Sequence, residues 1–352
     1  MLALAGGFAG LTLGSLLSLL LELRDKGFRT SAQLQQQIGA LTVTGTPRAI
    51  GRRRQSPADI ILNDNRSAFA EAFRVSSTNI HLAVAGPKSA SIGRRGPGTA
   101  FGITSAASGE GKSMHALALA RTAALAGENV VLIDADLRRS GVTRLLNQDF
   151  SFTLSDFLQD RCTANDVIAI EERSGVHFVP STSADISWTN HDLHRFFNFV
   201  DYLKDRFAIV IIDLPPIVGL ADTIRLAMAA DGMALVIRWG RTERQFVQFA
   251  LDALRKASVS TIAVILNDID LKAQRRRGYR DHTLVYGDKG LYHAASGYRE
   301  PAPQDVSPVA APTSNTHSDA EESAESRATD VRREPSRPGA SAIEKWYDRY
   351  RG

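Results

Sequence analysis

Residues 104–113 read TSAASGEGKS, directly after the apolar run Phe101–Thr104 and directly before a helical stretch at 112–126. A strand that turns through glycines into a helix opening on Lys-Ser is the setting a phosphate-binding loop requires. Gly109 and Gly111 let successive backbone N–H groups curl towards phosphate oxygens. The helix N-terminus adds its positive dipole end. Lys112 is placed to reach β- and γ-phosphates and Ser113 to ligate Mg²⁺, with Ser108, Gly109, Glu110, Gly111 and Met114 completing the nucleotide-binding set. The strict pattern starts with glycine, where this chain has Ala106.

Working outward, two further strands end in acids. Val130-Val131-Leu132-Ile133 runs into Asp134 and Asp136, and Ile209-Val210-Ile211-Ile212 runs into Asp213 and two prolines. In an open parallel sheet ligands sit beyond the carboxyl ends of strands, so a loop and three carboxylates share one edge. Mg²⁺ prefers carboxylate, hydroxyl and water ligands, which this set supplies. More apolar runs lie at Val176–Val179, Met233–Arg238 and Ile262–Leu266, with helical stretches at 191–205 and 243–257. Near-continuous apolar strands separated by helices predict an α/β fold, a P-loop NTPase-like doubly wound and mostly parallel sheet.

Residues 1–21 carry no charged side chain and Glu22 is the first. At 1.5 Å per residue this segment reaches about 30 Å, which predicts one transmembrane helix before the sheet. The first basic residues, Arg24, Lys26 and Arg29, follow it, which places the N-terminus outside and the rest in the cytoplasm. Gly6, Gly10 and Gly14 fall four apart, a spacing that admits a neighbouring helix. Residues 22–65 form a polar, basic juxtamembrane segment, with a short helix through Ala32–Ile38 and a turn at 45–47. An amphipathic helix is expected over 66–83 and a loop over 86–99, with the ATP-binding domain spanning 66–270. Residues 271–300 hold four tyrosines, 301–342 read as a disordered tail, and 343–352 regain aromatic character.

A single cysteine, Cys162, excludes an internal disulfide framework and is expected partly buried. A net charge of +4 over 352 residues is too small to suggest a nucleic-acid groove, so no nucleic acid is expected. His191 and His194 share a helix face, without a further ligand to complete a metal set.

Residues 66–268 resemble the cytoplasmic domain of bacterial tyrosine kinases, the BY-kinases of polysaccharide export. The matching pieces are SAFAEAFR at 67–74, TSAASGEGKS, VVLIDADLRR, IIDLPP followed by Asp222, ADGMALVIRWGRT and VILNDID. Residues 1–47 resemble the last transmembrane helix and exit segment of Wzz-type chain-length regulators, to which such kinases are fused. The resemblance implies ATP and Mg²⁺ as cofactors and Lys112, Asp134, Asp136 and Asp213 as catalytic residues. Asp134 would accept the tyrosine proton, while Ser113, Asp136 and Asp213 would serve the metal and Asn267 the adenine. The acceptors would be Tyr279, Tyr286, Tyr292, Tyr298, Tyr347 and Tyr350, six of the chain's seven tyrosines. Implied partners are further copies of the chain through Glu71 and Arg74, a polysaccharide co-polymerase or export machinery, a phosphotyrosine phosphatase and the bacterial inner membrane. Ser77 stands where the family's Glu-x-x-Arg-x-x-Arg contact has its second arginine. Two other readings remain. One is an ATP-driven assembly switch without kinase activity; the other is a positioning ATPase, against which Ala107 stands where a second lysine belongs.

Overall fold

The computed structural model describes residues 14–16, 27–39, 42–49, 56–89, 98–182, 188–276 and 278. Apart from 14–16, the expected transmembrane segment 1–21 lies outside the described residues, as do the six candidate acceptor tyrosines and everything after 278. No helix among the described residues is long and apolar enough to cross a membrane.

Eight strands form one sheet in the order β1-β8-β7-β2-β6-β3-β5-β4. They are β1 (Thr42–Pro47), β2 (Thr99–Ser105), β3 (Val130–Asp134), β4 (Ala169–Ile170), β5 (His177–Val179), β6 (Ile209–Asp213), β7 (Gly232–Arg238) and β8 (Thr261–Ile269). Every pairing is parallel except the short β4 against β5. Strands β3 and β6 are buried at every position, as their unbroken apolar runs require.

Alternate residues of these strands feed two cores. Val131, Ile133, Val210, Ile212, Leu235 and Leu266 pack with the helices Ser31–Ile38 (α1), Asn190–Lys204 (α7), Ala221–Ala227 (α8) and Arg244–Lys256 (α9). Leu132, Ile211, Val236 and Ile265 pack with Ala68–Ser89 (α3) and Lys112–Leu125 (α4). The period of two thus clothes both faces of the sheet in helices, the doubly wound arrangement. Short helices Ile60–Asn63 (α2), Gly141–Leu146 (α5), Leu154–Leu158 (α6) and Leu271–Arg276 (α10) complete the set. The start of α7 is set by a capping box, in which the Thr189 backbone N–H donates to Asp192 at 2.9 Å and the Asp192 N–H donates to the Thr189 hydroxyl at 3.2 Å.

Two local expectations are corrected. The turn expected at 45–47 is the end of strand β1, which pairs with β8 from Thr42 opposite Ala263 to Pro47 opposite Ile269. Pro47 fits there because β1 is an edge strand with one neighbour among the described residues, where a missing N–H costs least. The helix expected over 66–83 continues to Ser89, into residues expected to be a loop. Cys162 is half-buried against the core, and His191 and His194 are exposed on α7.

Candidate functional site

Neighbouring strands assemble the site. Strand β2 delivers the loop 106–111, β3 ends on Asp134 and β6 on Asp213. Register places Asp134 opposite Asp213 and Asp213 opposite Ile103, so loop and acids meet at one edge. Asp134, Asp136 and Asp213 are buried, as is Lys112.

Three carboxylates surround one ammonium. Lys112 Nζ lies 2.8 Å from Asp136 Oδ2, 3.3 Å from Asp213 Oδ1 and 3.1 Å from the Ser113 hydroxyl. Burial alone would lower the lysine's pKa, but Asp213 and Asp136 outweigh it and hold the pKa raised, so the ammonium stays charged. Burial pushes Asp213 up to about 7, against the opposing pull of Lys112. Asp134 is also raised by burial, although Thr143 donates both its N–H and its hydroxyl to Oδ2, each at 2.9 Å. The other oxygen, Oδ1, is buried without a hydrogen-bond partner among the described residues. A buried acceptor left open among excess negative charge is a site for an incoming cation or donor.

The loop is held from behind. Gly111 has φ 99°, a left-handed conformation that a side chain would strain, and a Cβ there would come 2.4 Å from Asn267 Nδ2. Glu110 reaches back across the loop, accepting the Ala107 N–H at 2.9 Å and the Thr242 hydroxyl. Burial raises its pKa despite those donors. Asn267 donates from Nδ2 to the Glu110 carbonyl at 2.8 Å and accepts the Asp268 N–H at 2.7 Å. His115, fully buried, lies 3.0 Å through Nδ1 from the Gly111 carbonyl and 3.1 Å through Nε2 from the Thr46 hydroxyl. A carbonyl only accepts, so Nδ1 carries the proton. Burial holds the imidazole pKa down to about 4, which leaves Nε2 a bare acceptor, so the single Thr46 hydroxyl proton lies between two acceptors, His115 Nε2 and Asn267 Oδ1.

Among the described residues no group of three His, Cys, Asp or Glu side chains could hold a metal ion by itself. The donor set nonetheless fits Mg²⁺ bound with a nucleotide, which keeps waters and phosphate oxygens and takes few protein ligands. Ser113, Asp136 and Asp213 are the residues that would hold it. Ser108 and Gly109 are exposed at the loop tip, and Met114 is half-buried against the core. Glu71 and Arg74 pair with each other at 2.5 Å on the surface of α3. Asn267, which the resemblance assigns to the adenine, engages both ends of its amide within the protein.

The AAA domain family matches residues 100–271. The chain is 30% identical over 192 residues to the tyrosine-protein kinase CpsD of Streptococcus agalactiae, covering 54% of this chain and 80% of that protein. It belongs to the bacterial tyrosine-protein kinases. It is also 25% identical over 295 residues to the succinoglycan biosynthesis transport protein ExoP of Rhizobium meliloti, covering 74% of this chain and 36% of that protein. The chain thus spans about a third of the length of some relatives and most of others. The fold resembles the kinase domain of the Escherichia coli tyrosine kinase ETK, with a TM-score of 0.59 at 22% identity over 70% of this chain and 96% of that one.

In this bacterial tyrosine-kinase fold several site residues carry no sequence signal of their own. Thr143 orients Asp134 and in turn accepts the Ser181 N–H at 3.0 Å. Gly141 lies so near Ser113 that a Cβ would meet its hydroxyl at 2.3 Å. Thr242, His115 and Thr46 come from a loop, a helix interior and an edge strand. The LRRSGVT run after Asp136, with its serine and glycine, is the stretch that could have signalled a turn returning to the site.

Proposed function

We propose that this chain is an ATP-dependent protein-tyrosine autokinase that regulates exopolysaccharide polymerisation and export at the bacterial inner membrane. The single observation that carries the proposal is Lys112 lying between Asp136 and Asp213 beneath an amide-lined loop, with Asp134 Oδ1 open beside them. Family membership supports the phosphoryl transfer, and the succinoglycan role of a relative supports the polysaccharide setting.

Bound ATP with Mg²⁺ supplies the phosphoryl group and neutralises charge on it. The protein supplies position and electrostatics, which is most of what phosphoryl transfer needs. Lys112 exchanges its pairing with Asp136 and Asp213 for β- and γ-phosphate oxygens. Ser113, Asp136 and Asp213 would hold the metal, and Ser108, Gly109, Glu110, Gly111 and Met114 would lie around the phosphates. Asp134, locked by Thr143 and made more basic by burial, takes the proton of the acceptor hydroxyl. The acceptors are Tyr279, Tyr286, Tyr292, Tyr298, Tyr347 and Tyr350, modified between subunits. Residues 1–21 anchor the chain in the membrane through one span, 22–65 link it to the kinase domain at 66–270, and 271–352 carry the tyrosines. Glu71 and Arg74 contribute to contact between copies. A co-polymerase or export complex and a phosphotyrosine phosphatase are the remaining partners.

Incubation of the full chain with Mg·ATP followed by mass spectrometry of 271–352 tests this. Phosphate on tyrosines is expected. ATP bound without any phosphotyrosine would replace the kinase with an assembly switch.

A further inference from the structure

A trans peptide unit points its C=O and N–H in opposite directions, so fixing one fixes the other. The phosphate loop therefore needs its carbonyls held outward if its N–H groups are to face phosphate. Two successive units are held in this way. The Glu110 carbonyl accepts from Asn267 Nδ2 at 2.8 Å, which turns the Gly111 N–H the opposite way. The Gly111 carbonyl accepts from His115 Nδ1 at 3.0 Å and from the His115 backbone N–H at 3.0 Å, which turns the Lys112 N–H the opposite way.

The two holding side chains are joined by a third residue. The Thr46 hydroxyl lies 3.1 Å from His115 Nε2 and 3.1 Å from Asn267 Oδ1. Thr46 is fully buried, and it comes from β1, the edge strand contributed by the segment between the N-terminal apolar run and the kinase domain. The His115 ring is further fixed against Phe73 of α3, with centroids 5.0 Å apart. Nothing in a Gly-Lys-Ser sequence demands these partners. Glycine at 111 is maximally free, and without outside restraint its flanking peptides would sample orientations that no phosphate could use.

We propose that His115 and Thr46 are positioning residues for nucleotide phosphate, acting with Asn267 as a clamp that presets the peptide planes at 110–111 and 111–112. The clamp rests on the nucleotide-site reading given above and adds to it that part of the site's order comes from β1. Thr46 touches no substrate; it acts through His115 and Asn267. Preset N–H groups bind phosphate without first losing conformational freedom, so the effect falls on nucleotide affinity.

The same strand provides its own control. Thr44 is buried like Thr46, yet its hydroxyl has no hydrogen-bond partner among the described residues. The test titrates full-length protein with Mg·ADP by calorimetry and records thermal midpoints without nucleotide. Thr46→Val and His115→Phe are each expected to weaken Mg·ADP about tenfold, the scale of one lost buried hydrogen bond. Thr46→Ser is expected to restore affinity, and Thr44→Val to leave it unchanged. Should His115→Phe fail to fold, the three threonine variants still decide. Unchanged affinity in Thr46→Val with a lowered midpoint would overturn the clamp and leave a purely structural threonine. Equal loss in Thr44→Val would overturn it too, because general weakening of β1 would then suffice. Wild-type protein that binds no Mg·ADP would remove the nucleotide site itself, and the clamp with it.

Discussion

Helix α4 carries two clusters of buried charge, and they are built on opposite principles. At its first residue Lys112 faces Asp134, Asp136 and Asp213, three acids against one cation. Further along the helix Arg121, 1% exposed at its side chain, pairs with Glu171 at 2.5 Å and Asp59 at 2.8 Å. Arg173 meets the same Asp59 at 2.7 Å. The second cluster is balanced: two guanidiniums, two carboxylates, every charge answered. The first is unbalanced, with Asp213 pushed up to about 7 by burial and an Asp134 oxygen left open. A fold has no reason of its own to bury excess negative charge, since removing unpaired ions from water costs several kcal/mol each. The imbalance is therefore read as provision for a ligand, and the balance as architecture.

The sharpest way to break that contrast is to remove the cation from each cluster in turn. Lys112→Met should abolish tyrosine labelling, a fall of at least about 100-fold, while far-ultraviolet circular dichroism stays native. Labelling near wild-type would place the phosphate grip elsewhere. Asp134→Asn comes next in size. It should slow transfer roughly 100-fold, the low end for a general base, while Mg·ATP affinity moves less than about fivefold. Equal loss of binding and transfer would make Asp134 a metal or loop support rather than a base.

The balanced cluster should respond in stability instead. Arg121→Met leaves the buried Glu171 without its guanidinium, while Asp59 keeps Arg173, so unfolding should become easier by about 3 kcal/mol, measured by denaturant titration. The nucleotide affinity of the folded protein should be unaffected. A variant that kept its stability but lost nucleotide would reverse the roles assigned to the two clusters.

Most of the sheet was legible because β3, β6 and β7 are buried on both faces and so are written as unbroken apolar runs. The acids were legible because each follows such a run directly. Strand β1 was not, since TVTGTP carries glycine and proline, which read as a turn. Its membership in the sheet is decided by pairing with β8, more than two hundred residues away, and local sequence does not encode that. Asn267 was singled out by the resemblance at its strand end, but only three dimensions reveal that its amide holds the Glu110 carbonyl. His115 looked like helix interior, which it also is. The hydrogen bonds to Gly111 and Thr46 follow from the approach of α4 to β1.

The smallest expected effect probes that edge. Asp268 joins the residue after β1 to β7, accepting Arg48 Nε at 2.8 Å and Arg238 Nη2 at 2.8 Å. Burial raises its carboxyl pKa, but the bonds from Arg48 and Arg238 outweigh burial and hold the net value below the ordinary 3.8. A carboxyl whose folded pKa is depressed contributes stability in full above its unfolded pKa and loses it as pH falls through the folded one. Because Arg48 is half exposed, the contribution is small, about 0.5–1 kcal/mol. Asp268→Asn keeps the left-handed backbone tolerable at φ 61° and removes only the charge. It should lower the thermal midpoint by about 1–4 °C at pH 7, and the gap to wild-type should close as pH drops below about 4. A gap that persisted undiminished in acid would mean that the carboxylate's charge is not what ties β1 to the sheet, and that shape alone holds the edge.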